Sequence, residues 1–199
     1  MLGSSSRQKI LLAATVLMTT TAGMLACDST DDVTNPVDNT ITTAQIVASV
    51  RSDAHIVGVL HQSNVGEINA GSAAQSKAVD SAVKAFAAQM VADHSALDAQ
   101  GNALAASQGI APALPDSTLP RVQSTEMSNL NLTATGSSFD RTYISQQIAD
   151  HQRTLALLDA SIALAQNAQL KTFLQNTVRP GVVMHLQMAQ SIQARIGSP

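Results

Sequence analysis

The hexapeptide Gln-Met-Val-Ala-Asp-His at 89–94 returns as Gln-Gln-Ile-Ala-Asp-His at 146–151. Both copies lie in Ala-, Gln- and Leu-rich stretches whose apolar residues recur at three and four spacing, the period of a helix with one buried stripe. Two helices therefore follow one plan, each with an aspartate and a histidine near its middle, where a buried polar group needs a partner. No alternating apolar run with turn residues on both sides is present, so the fold class is all-α.

Helix boundaries follow from capping chemistry. Thr42-x-x-Gln45 is a capping-box pattern and predicts a first long helix from Thr42 or Thr43 to about Lys77, with Ile46, Val50, Val57, His61, Val65 and Ile68 as its stripe. A second runs from Asp80 as N-cap to Gly109 as the residue after its end, burying Val83, Phe86, Met90, His94, Leu97 and Leu104. Pro112, Pro115 and Pro120 mark a linker, followed by a short helix between Arg121 and Leu132. A third long helix begins near Ser138 with Ile144, Ile148, His151, Leu155, Leu158 and Ile162 inward, and a fourth extends from Asn167 to Ile196. Pro180 should kink the fourth, because it removes the backbone bond to Asn176. Four long helices with short first and third turns and one long second connection describe a ferritin-like four-helix bundle over residues 43–199.

The chain ahead of this domain reads as an address. Arg7 and Lys9 precede an apolar run from Ile10 to Leu25, the layout of a secretory signal peptide over residues 1–26. Met24-Leu25-Ala26-Cys27 resembles the lipobox of bacterial lipoproteins, departing from it at Met24 and Leu25. That resemblance implies lipidation of Cys27; the plainer alternative is a secreted protein with one stray thiol. Residues 27–42 are polar and acidic and read as a tether. The expected location is the cell envelope, with the membrane as partner through the lipid. Without residues 1–26 the chain has 9 basic and 14 acidic side chains, a formal charge of −5. Lacking a basic patch, it has no footprint for nucleic acid.

Counting along the hairpins compares the histidines by height. His61 lies 17 residues before Ala78 and His94 lies 16 after it, while His151 and His185 lie 16 before and 18 after Asn167. Antiparallel packing then brings His61, His94, His151 and His185 to one level. Imidazoles converging in an apolar interior suit zinc, copper, nickel or iron. Asp93 and Asp150 turn about 100° from the histidines that follow them, so each is placed to orient a histidine of a neighbouring helix, with Glu67 and Asn64 as further supports. The alternative is a structural polar layer of histidines paired with aspartates or carbonyls, the commoner fate of a histidine on an apolar stripe. A carboxylate di-iron centre is excluded, since Glu67 and Glu126 are the only glutamates and neither has a histidine three residues on.

Asn64-x-x-Glu67-Ile68, Phe86-Ala87-x-x-Met90-Val91-x-Asp93-His94, Phe139-Asp140-x-x-Tyr143-x-x-x-Gln147-Ile148-x-Asp150-His151, and Pro180 followed by His185-Leu186 together resemble the signature of an uncharacterised bacterial family. Its members are ferritin-like envelope proteins, described as a domain of unknown function and often labelled outer-membrane proteins. The resemblance spans about residues 43–196 and implies the fold and an exported location, with no established activity. No nucleophile elbow, phosphate loop, zinc-protease motif or cysteine cluster supports an enzyme. Two expectations stand: a lipid-anchored envelope protein with a structural or interaction role and an unknown protein partner, and a metal-binding or redox bundle using the four histidines.

Overall fold

The computed structural model describes the backbone from Asn39 to Pro199 and side chains from Thr43 onward. The expected signal peptide, the expected lipidation site Cys27 and most of the expected tether lie outside the described residues. Every regular element described is helical: α1 Asn39–Ser49, α2 Asp53–Lys77, α3 Ser81–Ser107, α4 Thr118–Leu132, α5 Ser137–Leu164, α6 Ala168–Phe173 and α7 Arg179–Ile196, with a π-helical turn, Leu174–Val178, joining α6 to α7. No helix among the described residues is long and apolar enough to cross a membrane.

The expected first long helix is two helices. It starts at Asn39 and breaks between Ser49 and Asp53. Ser49 Oγ donates to the Ile46 carbonyl (2.7 Å), and Ser52 Oγ accepts the His55 N–H (3.2 Å) as N-cap of α2. Serines compete with the helical ladder in this way and favour ends over interiors. Within α2 the inward stripe is Val57, Leu60, Asn64, Glu67, Gly71 and Ala74. His61, Val65 and Ile68, expected on that stripe, are not buried, because the apolar Leu60 rather than His61 follows Val57 onto the inward face, and Asn64 and Glu67 continue it.

Two reciprocal clamps fix the hairpins to each other. The turn between α2 and α3 presents the N–H groups of Val79 and Asp80 to the Asp140 carboxylate of α5 (3.0 and 2.9 Å). At the opposite end, the turn between α5 and α6 presents the N–H groups of Gln166 and Asn167 to the Asp53 carboxylate of α2 (3.0 and 2.9 Å). Each carboxylate satisfies donors that a helix start leaves without an intrahelical acceptor. Asp80 and Asn167 then cap α3 and α6 with their own side chains, as their residue types predict.

α4 crosses the long connection and packs on α2, where Gln62 and Gln123 pair through their side-chain amides (2.7 Å). The stretch before it lies close against α2: Ala113 N–H bonds the Ala54 carbonyl (3.0 Å), and a side chain at Gly58 would run into the Ala113 carbonyl. In the fourth expected helix, a π turn lies just ahead of Pro180. It widens the helix there, with Arg179 N–H reaching back to Leu174 O, which makes room for the ring.

The core has two apolar parts. One gathers Ile46, Ile56, Leu60, Leu158, Leu170 and Leu174, and the other gathers Phe86, Met90, Leu130, Phe139, Tyr143 and Ile144. Besides Asp140 and Ser161, the buried polar side chains among the described residues are Asn64, Glu67, His94, Gln147, Asp150, His151, Arg153 and His185, which form a polar layer.

Candidate metal centre

Three rings meet in this polar layer, His94 from α3, His151 from α5 and His185 from α7, all essentially buried. Ring centroids are 5.8 Å apart for His94 and His151, 5.2 Å for His94 and His185, and 5.5 Å for His151 and His185. One ligand nitrogen of each lies within 4.8 Å of the other two.

The partners of the outer nitrogens determine where the protons sit. His151 Nδ1 donates to the Gln147 carbonyl (2.8 Å), which can only accept. His185 Nε2 donates to the Asp93 carboxylate (2.9 Å), and His94 Nδ1 donates to Asn64 Oδ1 (2.9 Å). A neutral imidazole has one N–H, so the remaining nitrogens carry bare lone pairs. Those nitrogens are His94 Nε2, His151 Nε2 and His185 Nδ1, and all three are buried with no protein hydrogen-bond partner. Leaving one buried acceptor unpaired costs about 1–3 kcal/mol, and here three are left in one place.

Protonation is a poor remedy. Burial, then the neighbouring His151 and His185 rings, pushes His94 well below the ordinary histidine value. Burial lowers His151 to about 4, against the opposing pull of the Gln147 carbonyl. Burial also lowers His185, with Asp93 opposing. The rings are neutral at pH 7, the state in which imidazole ligates a metal. Three atoms no more than 4.8 Å apart lie within about 2.8 Å of a common centre, whereas a zinc–imidazole bond is about 2.0–2.1 Å. An inward shift of about 0.7 Å per ring brings them to bonding distance.

The other expected site residues divide. His61 does not join the layer: its side chain is 47 % exposed and pairs with Asp98 at 2.7 Å. Asn64, three residues on, takes its place on α2 and orients His94. Asp93 orients a histidine of another helix, as its angular offset predicts. Asp150 does not. It pairs with Arg153 on its own helix, and Arg153 also donates to Glu126 of α4 (2.8 Å). Glu67 accepts from Gln147 Nε2 (2.7 Å) and lies 3.7 Å from His151 Nδ1, too far for a hydrogen bond. Burial raises Glu67 to about 7, and burial with repulsion from Glu126 raises Asp150 well above the carboxylate range.

Gln147, Arg153 and Glu126 were not among the expected site residues. Gln147 precedes His151 by one turn, a visible signal for a residue that supports the ring through its carbonyl. Arg153 has no comparable signal, because its partnership with Glu126 depends on where α4 comes to rest. Tyr143 is fully buried and stacks on Phe139, and its hydroxyl has no protein partner.

No curated protein and no solved structure matches the chain. Residues 39–192 match the family described as Domain of unknown function (DUF4142), which covers well over half of the sequence, and the chain belongs to that family.

Proposed function

We propose that the protein binds one first-row divalent transition-metal ion through His94, His151 and His185. The observation that carries this reading is the set of three buried, unpartnered ring nitrogens, contributed by three different helices and each backed by an acceptor on the far side of its ring. A purely structural polar layer accounts for the outer hydrogen bonds and leaves the inner lone pairs without purpose. A cation satisfies all three at once, and the outer acceptors hold the tautomers that coordination needs. The surrounding fold is a ferritin-like four-helix bundle in this reading, with a histidine site in place of a carboxylate one.

Metal analysis tests it. Protein purified without a histidine tag and reconstituted with zinc, copper or nickel should hold about one ion per chain, and a His94→Ala/His151→Ala variant should hold none. Substoichiometric metal in both would leave the layer as a device that sets helix register. We further propose an exported location with a lipid anchor on Cys27, supported by the signal-like segment and the lipobox-like Met24-Leu25-Ala26-Cys27. Fractionation checks it, because Cys27→Ser should move the protein from the membrane to the soluble fraction.

A further inference from the structure

Two cavities approach the histidines from one side. The larger, about 330 Å³, opens on the face formed by α2, α4 and α5. The smaller, about 10 Å³, lies inside the helices against His94 and His151, with Asn64, Val178 and Val182 around it. Both are lined by the same three side chains, Ser63 and Glu67 of α2 and Thr154 of α5. These three residues are therefore a wall one side chain thick between an outer vestibule and the ring layer.

We infer that a metal held by the three rings keeps one coordination position open toward the inner cavity, and that the metal and a small exchangeable ligand both enter through the wall at Ser63, Glu67 and Thr154. The inference rests on the three-histidine reading. A three-ligand protein site leaves a fourth tetrahedral position for water or another small molecule. The inner cavity has the volume of about one water, it touches two of the three rings, and Asn64 and Glu67 supply polar groups at its edge. The two core groups that flank the layer, with Phe86, Met90 and Ile144 in one and Leu60, Leu158 and Leu174 in the other, are apolar. The ligand class is accordingly water, or a compact anion whose donor atom takes the water's place and whose remainder points toward the wall, with larger molecules stopping in the vestibule.

Cobalt(II) and azide are suitable probes, because cobalt in a three-nitrogen site has visible bands that move when its fourth ligand changes. Azide should shift the spectrum of the cobalt-loaded wild type. Ser63→Val/Thr154→Ile thickens the wall and fills the edge of the inner cavity, and should raise the azide concentration needed, and slow cobalt uptake, by about tenfold, the effect of about 1.4 kcal/mol at either step. Its final cobalt content should equal that of the wild type. Thr154→Ala thins the wall and should move both quantities the other way, which keeps the test decisive if the bulkier variant folds poorly. A cobalt-loaded wild type indifferent to azide, or variants that load and titrate like it, would overturn the open position and its route. A wild type that takes up no cobalt by elemental analysis overturns the three-histidine reading beneath them.

Discussion

The two long hairpins reach the same buried layer with different equipment. The α5–α7 hairpin delivers both of its mid-helix histidines, His151 and His185, whereas the α2–α3 hairpin delivers His94 together with Asn64 and leaves His61 in solvent beside Asp98. Height along an axis follows from counting residues, but direction around it depends on which of two neighbouring three-four stripes the core takes. In the first hairpin the core takes the stripe through Leu60, Asn64 and Glu67, and a neutral amide faces inward where a fourth imidazole was expected.

The sharpest way to break this contrast is to remove the histidines singly. His94→Ala, His151→Ala and His185→Ala should each weaken metal binding by more than about 100-fold, beyond the 10–100-fold expected for supporting residues. Asn64→Ala and Asp93→Ala should fall within that lower range, and His61→Ala should change nothing. Competition against a chromophoric chelator ranks all six, and a loss at His61 comparable to that at His94 would return it to the site.

Packing separates the hairpins next. A Cβ on Gly71 would meet Val91 Cγ2 at 2.9 Å and the Ala87 carbonyl oxygen at 3.0 Å, while one on Gly181 of α7 would meet nothing within 4 Å. Gly71→Ala should therefore destabilise by about 1–3 kcal/mol through overpacking. Gly181→Ala should stabilise by about 0.5–1 kcal/mol, because alanine loses less backbone freedom on folding. Urea unfolding of the two variants, read as midpoints at constant slope, should move in opposite directions. Shifts of the same sign would mean that the hairpins pack alike.

The smallest effect concerns the caps. Arg195 foremost, and then the N–H groups of Val83 and Ala82, hold the Asp80 carboxyl below its ordinary value of 3.8, whereas the corresponding cap of the second hairpin, Asn167, does not titrate. In the unfolded chain Asp80 takes up its proton near pH 3.8, ahead of the folded protein. Its contribution is thus complete above that pH and drains away as pH falls below it. Asp80→Asn should cost about 0.5 kcal/mol at neutral pH and converge on the wild type in acid. Asn167→Asp should introduce a similar acid dependence at the other end, and a gap between wild type and Asp80→Asn that persists at low pH would argue against the ion pair as its source.

Much of this architecture was legible before any coordinates. Three-four spacing marked α2, α3, α5 and α7, and the residue types at Asp80 and Asn167 marked two helix starts within a residue. The level of the histidine layer also followed from counting. What escaped was the inward face of α2 and whatever depends on contact between distant segments. The α2 stripe was hidden because two of its inward positions are polar, Asn64 and Glu67, while the apolar Val65 and Ile68 imitate its continuation. The clamps at Asp53 and Asp140 span 113–114 and 60–61 residues of chain, and surface-type residues carry no mark of such partners. Asp150 and Asp93 occupy equivalent places in the repeat, yet an arginine three residues on captures one and leaves the other to a histidine.

The π turn at Leu174–Val178 has a consequence beyond accommodating Pro180. A π turn holds one residue more than an α turn, so every side chain that follows it is set back by about 100° around α7. Were the same residues wound as an ordinary α turn, the exposed Met184 would arrive in the slot that His185 occupies, and the layer would have two imidazoles and a thioether. A single extra residue in an otherwise regular helix thus acts as a phase shifter, and it sets whether the fourth long segment shows the interior a nitrogen ligand or a flexible sulfur chain.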